Sequence, residues 1–434
     1  MGLKDFRNKI RRNLVPEMKE QAPQYWEEDS YMIVVPMSEE TNLMGQVRDR
    51  IAAVRGIDII DFREPSGESP AMMKIRYNGE TYPVAYVEEP FTLENLAVMK
   101  KQPLSQAEET AAQSAGKALK LMMNFHGDPQ QCYHLHIKLC AAAVAEAAIV
   151  MDESAEKILS GRWVKMTAAS EVEPSADSLF TVQGVSDGNE VWLHTHGLIR
   201  FGLRELEVLC SDNENAEHHF EIINALAKRM ISGDEGDIAE GVYYLGLIGD
   251  EIPVVVTAVP WTEGLQEYSH GCMGGASDRE NGHNSKTSLV FAYKGPQDQE
   301  KHILSKVTIY DEVWEDHAMF FISTRETQRM SRLARERFDY VRPFVGKPDC
   351  QVVLKLALKA LNEEEGDMQV EHIWFELVGF EGNGFRARLT QNPYYIDYMH
   401  AGDEAVYTVE DITDWVIQTP ESQYVPDNVY LLHK

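Results

Sequence analysis

Long apolar runs are scarce in this chain of 434 residues. The longest one near the middle, residues 139–151, is rich in alanine, is interrupted by Glu146 and is too short to cross a bilayer. The opening sequence MGLKDFRNKIRRNL also lacks the apolar core of a signal peptide. We therefore expect no stable insertion into a membrane.

Cysteine is rare as well. The chain has five cysteines, an odd number, and no CxxC pair. This pattern is typical of reduced thiols rather than of a disulfide framework. We therefore expect a cytoplasmic protein.

Basic residues are outnumbered by acidic ones, 41 against 70, which gives a net charge of −29. Such a surface repels the phosphates of nucleic acid and attracts a basic protein surface. Residues 1–28 are the exception, because they form a basic segment with an apolar stripe at Leu3, Phe6, Ile10 and Leu14. An amphipathic helix of this kind lies on a membrane or docks on its own protein, and we expect the second.

The strong catalytic signatures are missing. The sequence has no phosphate-binding glycine loop, no HExxH metal motif and no nucleophile elbow between a strand and a helix. No reaction is indicated, and the sequence favours a non-enzymatic role without excluding an enzyme.

The first block defined by pattern is residues 29–95. It reads as strands around one helix, and two of its strands meet at Asn78-Gly79, a strong hairpin signal. This pattern predicts a small α+β domain. Residues 96–116 are polar and helix-prone, so we interpret them as a linker or bridging helix.

The second block, residues 117–345, alternates strands with helices. Asp128-Pro129 supplies an N-cap and a first-turn proline for a helix that should run to about Ala147. A hairpin turn follows at residues 186–188. The block is predicted to be an α+β middle domain with a mixed sheet.

The third block, residues 346–434, has five or six short strands between turn signals, which predicts a small, mostly β, barrel-like module. We expect Trp374 and Trp415 to be buried, with Asn392-Pro393 and Gly402-Asp403 in surface turns. The fold class predicted for the whole chain is α+β and multi-domain, with mixed sheets and helices.

Two histidines, His194 and His196, share one face of a predicted strand, and Cys132 and His136 share one face of a predicted helix. These four are the candidate metal ligands, and zinc or iron is the metal they would take with at least one further ligand. The alternative is a packed histidine face beside a helix buried on a sheet. We favour it, and expect no cofactor, because free cysteine is among the most buried residue types.

The loop at residues 268–286 contains four glycines together with His270, Cys272 and His283. A cysteine beside a histidine is a thiol nucleophile with its base, so these three are the candidate catalytic residues. A long glycine-rich loop is also typical of a mobile insertion without catalysis, which we favour.

About the last eighty residues resemble a small bacterial family, domain of unknown function 2314. The resemblance rests on Trp374 to Glu376, Asn392-Pro393, Gly402-Asp403, Asp411-Ile412 and Asp414-Trp415. The first two blocks resemble domain of unknown function 4026. The middle block is also similar to domain of unknown function 4261, through Thr195, Gly197-Leu198, Phe201-Gly202 and 205–207.

These resemblances imply no activity, and their association with bacterial contact-dependent toxin and immunity genes implies at most an immunity-like role. We therefore expect an uncharacterised bacterial protein that is not an enzyme and binds another protein with a basic surface. The alternative is a metal- or thiol-dependent hydrolase that uses the histidines and cysteines of the middle block. The sequence does not indicate which residues bind a partner.

Overall fold

A computed structural model describes residues 26–67, 69–93, 99–233, 241–249, 252–269, 271–282, 285–314, 319–321, 324–361 and 368–433. The basic segment 1–28 lies outside these ranges except for its last three residues. No helix in the described ranges is both long enough and apolar enough to span a membrane.

Eight described strands form the first sheet. In spatial order they are β2 (Ile57–Arg63), β3 (Ala71–Tyr77), β4 (Glu80–Pro90), β6 (Lys117–Asn124), β1 (Asp29–Pro36), β7 (Ala147–Asp152), β8 (Lys157–Ser160) and β5 (Lys100–Lys101). Neighbouring strands are antiparallel except β5 and β8. The helices of this region are α1 (Leu43–Ala52), α2 (Gln106–Ser114), α3 (Pro129–Ala143) and α4 (Gly161–Ala169).

Local sequence determines the turn and the longest helix of this region. Asn78 and Gly79 join β3 to β4 with φ values of 49° and 86°, which is the conformation that a two-residue hairpin prefers. Helix α3 begins after Asp128, whose side chain accepts a backbone hydrogen bond, and Pro129 occupies its first turn. The predicted hairpin and the predicted helix start are both confirmed.

The first sheet extends across the segment 96–116. Strand β6 pairs with both β1 and β4, and β7 pairs with β1. Strands of the 29–95 block and of the 117–345 block therefore share one sheet. Pairing between strands so far apart in the chain leaves no signal in a local hydrophobic pattern.

The second sheet is mixed. In spatial order its strands are β16 (Met319–Phe321), β12 (Val242–Ile248), β13 (Ile252–Pro260), β14 (Thr287–Ala292), β11 (Glu205–Asp212), β10 (Glu190–His196) and β9 (Thr181–Asp187), with β15 (Ser305–Lys306) beside β14. Strands β11 and β14 are parallel, and the other pairs are antiparallel. The accompanying helices are α5 (Ala216–Ser232), α6 (Trp261–Gly264), α7 (Pro296–Glu300) and α8 (Asp311–Trp314).

A β-bulge interrupts the pairing of β10 with β11. The register shifts there by one residue, so Trp192 lies opposite both Leu209 and Cys210. Cys210 takes up the extra residue with a φ of +55°, in the left-handed region. Leu209 and Cys210 consequently both contact the apolar cluster around Trp192, although they are consecutive in a strand.

The third sheet is antiparallel and open within the described residues. In spatial order its strands are β20 (Glu404–Tyr407), β19 (Gly384–Leu389), β18 (Met368–Glu381), β17 (Gln351–Leu361), β21 (Ile412–Gln418) and β22 (Gln423–Tyr424), and helix α9 (Thr324–Glu336) packs on β21. The predicted fold class, α+β with mixed sheets and a small β-rich C-terminal module, is confirmed. The described strands of this module do not close into a barrel.

The two tryptophans of the third sheet differ in burial. Trp415 is fully buried, and its indole N–H donates to Ala334 O at 2.9 Å. Trp374 is only half-buried, because alternation along β18 turns Phe375 inward and Trp374 to the opposite face. Lys355 Nζ lies 5.6 Å from the centre of the Trp374 ring. The burial prediction is confirmed for Trp415 and wrong for Trp374.

The chain divides into two compact units, one formed by residues 1–169 and 176–323 and the other by 170–175 and 324–434. The second unit includes α9, which the sequence pattern grouped with the middle block.

Within the second unit, the segment 170–175 is tied to α9 by side chains. Ser170 Oγ donates to Glu336 Oε1 at 2.7 Å, and Arg332 Nη2 donates to Glu173 Oε1 at 2.6 Å. The unit is therefore built from two stretches that are far apart in the sequence.

Candidate functional site

His194 and His196 form a row of aromatic rings on β10. The Trp192 and His194 ring centroids are 4.7 Å apart, and those of His194 and His196 are 4.8 Å apart. His194 is buried, while His196 is partly exposed with its Nδ1 lying 3.6 Å from Glu156 Oε1. The two histidines share a face as the strand alternation predicted.

Cys132 and His136 lie on α3, deep in the first unit. The Cys132 thiol donates to His126 O at 2.9 Å, and His136 Nδ1 lies 3.1 Å from Ser30 Oγ. Burial raises the pKa of Cys132 to about 12 and lowers the pKa of His136 to about 3, with the Arg200 charge adding to the second shift. At neutral pH these groups are a thiol and a neutral imidazole.

The four candidate metal ligands stand on different elements. Helix α3 belongs to the region of the first sheet, and β10 lies in the second sheet. Across the described ranges, no three side chains of His, Cys, Asp or Glu gather in a geometry that would hold a metal ion. The expectation that His194, His196, His136 and Cys132 hold no cofactor stays a prediction.

Glu205 explains the motif around Thr195. Its Oε1 accepts hydrogen bonds from the backbone N–H groups of residues 197–199 at 2.8, 2.8 and 3.2 Å, and its Oε2 accepts from Thr195 Oγ1 at 2.7 Å. Burial raises the pKa of Glu205 to about 7, although all four donors oppose the shift. Gly197 has a φ of +111°, and a Cβ there would lie 2.9 Å from Leu179 O. These motif residues build a hydrogen-bonded turn.

The described part of the loop at 268–286 is anchored to β11. Arg279 Nη1 donates to Glu207 Oε1 at 3.0 Å and to Thr287 Oγ1 at 2.7 Å, and Arg279 also pairs with Glu207 through Nη2. Cys272 is buried in the apolar cluster around Trp192. The other two candidate catalytic residues, His270 and His283, lie outside the described residues, so the expectation of a loop without catalysis stays a prediction.

The sequence reasoning missed a Ser–His–Asp chain. His219 Nδ1 lies 2.7 Å from Ser211 Oγ, and His219 Nε2 lies 2.9 Å from Asp311 Oδ1. Because a carboxylate accepts, Nε2 carries the proton and the serine hydroxyl donates to Nδ1. Ser211 is buried and Asp311 is partly exposed, so the accessible end of the chain is the acid rather than the nucleophile. The arrangement ties α8 and α5 to β11.

A buried ion pair lies at the centre of the first unit. Arg200 donates through Nη1 to Asp152 Oδ1 at 2.8 Å and through Nη2 to Asp152 Oδ2 at 2.9 Å. The guanidinium also donates to Ser30 Oγ at 3.0 Å and to Leu179 O at 2.5 Å. With these partners the pair organises the core, and its full burial leaves no access for a substrate.

Exposed aromatic side chains in the C-terminal module form a different kind of site. Tyr394, Tyr395 and Tyr398 are 85%, 44% and 77% exposed, and Ile396 between them is buried. We call the segment 391–403 with these side chains the tyrosine loop. Aromatic side chains this exposed are uncommon on a folded surface, and tyrosine is enriched where proteins bind each other.

Side chains of the module hold the tyrosine loop in place. Glu371 accepts hydrogen bonds from the backbone N–H groups of Tyr394 and Tyr395 at 2.6 and 2.9 Å. Asn392 Oδ1 accepts from Ala401 N at 2.8 Å. The loop is thus ordered by the module before any partner binds, which lowers the entropic cost of binding.

The turns of this loop were predicted from the sequence. Asn392 is exposed, Pro393 is partly exposed, and both Gly402 and Asp403 are exposed. Gly402 has a φ of +97°, and its N–H donates to Leu389 O at 2.8 Å. The predicted surface turn is confirmed at Gly402, and Asn392-Pro393 lies at the surface, where its turn stays a prediction.

The surroundings of the tyrosine loop are acidic. Residues 391–411 contain five acidic side chains and no lysine or arginine. Asp397 and Glu410 are exposed among them. A negative surface next to exposed aromatic rings suits a cation, because both the carboxylates and the ring faces attract positive charge.

The sequence signal for this surface was YYIDY, residues 394–398. Three tyrosines within five residues fit either a core or an exposed surface, so this pattern alone does not place them. The sequence analysis singled out none of these three tyrosines, and the structure places them on the surface.

The fold and these sites define a multi-domain α+β protein with a β-rich C-terminal module. Family models match three stretches: protein of unknown function (DUF4026) N-terminal at 30–174, protein of unknown function (DUF4026) C-terminal at 181–291, and uncharacterized protein conserved in bacteria (DUF2314) at 330–426. The chain belongs to the DUF4026 family, whose two models together match more than half of it, and it carries a DUF2314 domain. Both predicted resemblances are confirmed, while the likeness to domain of unknown function 4261 stays a prediction.

No curated protein and no solved structure matches the chain. The tyrosine loop lies within the matched DUF2314 stretch. Its anchors include Asn392 and Gly402, two of the residues on which the family resemblance rests.

Proposed function

We propose that this protein is a non-enzymatic, acidic interaction protein of the cytoplasm that binds a basic protein through its tyrosine loop. The observation that carries the proposal is the exposure of Tyr394, Tyr395 and Tyr398 on a loop whose backbone is already fixed. An immunity-like role is one form that such binding would take.

Aromatic side chains support binding because they bury a large area at little conformational cost. Tyrosine and tryptophan dominate the residues whose truncation weakens protein interfaces most. The Tyr394 and Tyr395 rings contact each other edge to face, with centroids 4.7 Å apart, which restricts both rings before binding. Three such rings supply the apolar centre of an interface.

Charge supports a basic partner. The whole chain has a net charge of −29, and exposed carboxylates lie within the tyrosine loop at Asp397 and soon after it in the sequence at Glu410. Lysine and arginine side chains of a partner would contact both the carboxylates and the ring faces. The long-range field would also speed association and make its rate sensitive to salt.

Cys132 and Cys210 are poorly suited to be the nucleophile of a thiol-dependent hydrolase. A nucleophilic cysteine needs a lowered pKa, yet burial raises the pKa of Cys132 to about 12 and that of Cys210 to about 11. The chemistry available at these described thiols is therefore slow at neutral pH.

Binding can be tested with the full chain immobilised and a bacterial lysate as the source of partners. A captured protein is identified, purified and titrated against three full-length variants. Tyr394→Ser with Tyr398→Ser should weaken binding at least about tenfold, because central aromatic truncations at interfaces cost more than about 1 kcal/mol each. Asp397→Asn with Glu410→Gln should slow association and reduce its salt dependence.

The matched control is Ile60→Ser, which removes an exposed apolar side chain on β2 in the other unit. It should bind as the wild type does. The proposal is overturned if the tyrosine variant binds as tightly as Ile60→Ser, if the purified partner is acidic, or if no protein is captured.

A further inference from the structure

Cys210 and Cys272 both pack in the apolar cluster around Trp192. Both are free thiols, and burial together with Cys272 raises the pKa of Cys210. Cys210 also lies 3.7 Å from Glu190 Oε1, and this same oxygen accepts from the backbone N–H of Met273 at 3.0 Å. Glu190 therefore fixes strand β11 and the loop after Cys272 at one point.

The bulge in β11 turns Cys210 toward the cluster that contains Cys272. In a regular strand Cys210 would face away from Leu209, but the positive φ of Cys210 turns its side chain toward the cluster that contains Leu209 and Cys272. Glycine is the residue that adopts this conformation without strain, and a non-glycine residue is uncommon there. The residue at this position is nevertheless a cysteine, and its thiol packs against the cluster that contains Cys272.

We propose that Cys210 and Cys272 form a dithiol site that closes to a disulfide on oxidation by a hydroperoxide. The Cys210 thiolate attacks one peroxide oxygen, the O–O bond breaks, and hydroxide leaves and takes up the released proton to form water. Cys272 then attacks the resulting Cys210 sulfenic acid, an S–S bond forms, and a second water leaves. Two thiols and one hydrogen peroxide give one disulfide and two waters.

Exposure assigns the order of the two steps. Cys210 is partly exposed at the edge of the cluster, whereas Cys272 is buried beneath it. Peroxide thus meets Cys210 first, and Cys272 is the resolving thiol. Closure would add a covalent tether between β11 and the loop that Arg279 and Glu207 already hold together.

The site differs from the other described cysteines of the chain. Cys140 donates to Met32 Sδ and is fully buried on α3, as Cys132 is. Cys350 is partly exposed in the C-terminal module, far from β11 in sequence. These three serve as internal controls in one experiment.

The full wild-type chain is treated with hydrogen peroxide under native conditions. It is then unfolded in a denaturant that contains N-ethylmaleimide, which alkylates the remaining thiols, and is digested without reduction. Mass spectrometry should find one peptide pair that joins Cys210 to Cys272, two hydrogens lighter than the sum of the reduced peptides. Cys132 and Cys140 should carry N-ethylmaleimide. The proposal is overturned if Cys210 and Cys272 are both found alkylated by N-ethylmaleimide, or if either is oxidised to sulfinic acid without forming a disulfide. A disulfide between Cys210 and any cysteine other than Cys272 would overturn it as well.

Variants test the order of the steps. Cys272→Ser should accumulate a sulfenic acid at Cys210 that dimedone traps, Cys210→Ser should lose most of the peroxide reactivity of Cys272, and the matched control Cys350→Ser should form the disulfide as the wild type does. Burial and the neighbouring Cys272 raise the pKa of Cys210 to about 11, so the rate should rise about tenfold per pH unit between pH 7 and 9. A rate that is flat over this range would show that Cys210 is not the attacking thiol.

Discussion

The guanidinium of Arg200 holds the carboxylate of Asp152 by two hydrogen bonds of 2.8 and 2.9 Å, and neither side chain has any exposed surface. Arg200 follows β10 of the second sheet, while Asp152 ends β7 of the first. The pair therefore joins the two sheets of the first unit through one fully buried contact.

Replacing Asp152 with asparagine should destabilise the first unit strongly. The Arg200 charge would remain buried without its counter-charge, which typically costs about 3–5 kcal/mol of unfolding free energy. Urea denaturation followed by circular dichroism measures the change. Lys165→Ala, which removes an exposed pair with Glu146, should leave the urea midpoint unchanged. If the urea midpoints of the Asp152 and Lys165 variants fell by the same amount, burial would not explain the contribution of the Arg200–Asp152 pair to stability.

Glu205 should make stability depend on pH. Its pKa is about 7 in the folded protein and near 4.5 in the unfolded chain, so the folded state holds more protons between these values. The contribution is complete below pH 4.5, and the unfolding free energy falls as the pH rises toward 7. Urea midpoints at pH 5, 6, 7 and 8 should decline more steeply in the wild type than in Glu205→Gln. Parallel curves would show that Glu205 does not titrate in this range.

Trp415→Ala should open the C-terminal module to protease while the first unit stays protected. Truncation of a fully buried tryptophan costs about 3–5 kcal/mol, and the hydrogen bond to Ala334 O is lost as well. Limited proteolysis with timed mass spectrometry locates the cuts. Trp374→Ala, on the half-exposed face, should resist cleavage longer. Degradation of the whole Trp415→Ala chain at one rate would mean that the units unfold together.

A fluorophosphonate probe should leave Ser211 unlabelled. The serine is buried at the inner end of its chain with His219 and Asp311, so the reagent cannot reach Oγ. Intact-mass analysis of the full chain, with an active serine protease as the positive control, gives the answer. Labelling of Ser211 that disappears in His219→Ala would establish a serine nucleophile and argue against the non-enzymatic proposal.

Local chemistry determined which parts of the fold the sequence could predict. Asn78-Gly79 and Asp128-Pro129 act within a few residues of themselves, so the hairpin and the helix start followed directly from residue types. The pairing of β6 with β1 and β4 joins strands that are distant in the chain, and it was missed. The prediction that Trp374 is buried was wrong for a different reason. Alternation along a strand indicates which residues share a face, but it does not indicate which face of the sheet is covered.

The candidate functional residues, too, could be predicted only where local sequence determines their arrangement. The shared face of His194 and His196 followed from strand alternation, whereas the Ser211–His219–Asp311 chain needs three elements that only the tertiary fold brings together. The tyrosine loop was present in the sequence as YYIDY, but a high density of aromatics indicates a core and an interface equally well.

The segment 170–175 means that the C-terminal module cannot be moved to another protein as a single uninterrupted piece of the gene. A fragment that starts at residue 324 would keep every strand of the third sheet but lose Ser170 and Glu173, which hold Glu336 and Arg332 of α9. A mutation in this short stretch would therefore destabilise a sheet whose strands lie about two hundred residues later in the chain. A design that transfers the module to another protein must therefore include residues 170–175 together with residues 324–434.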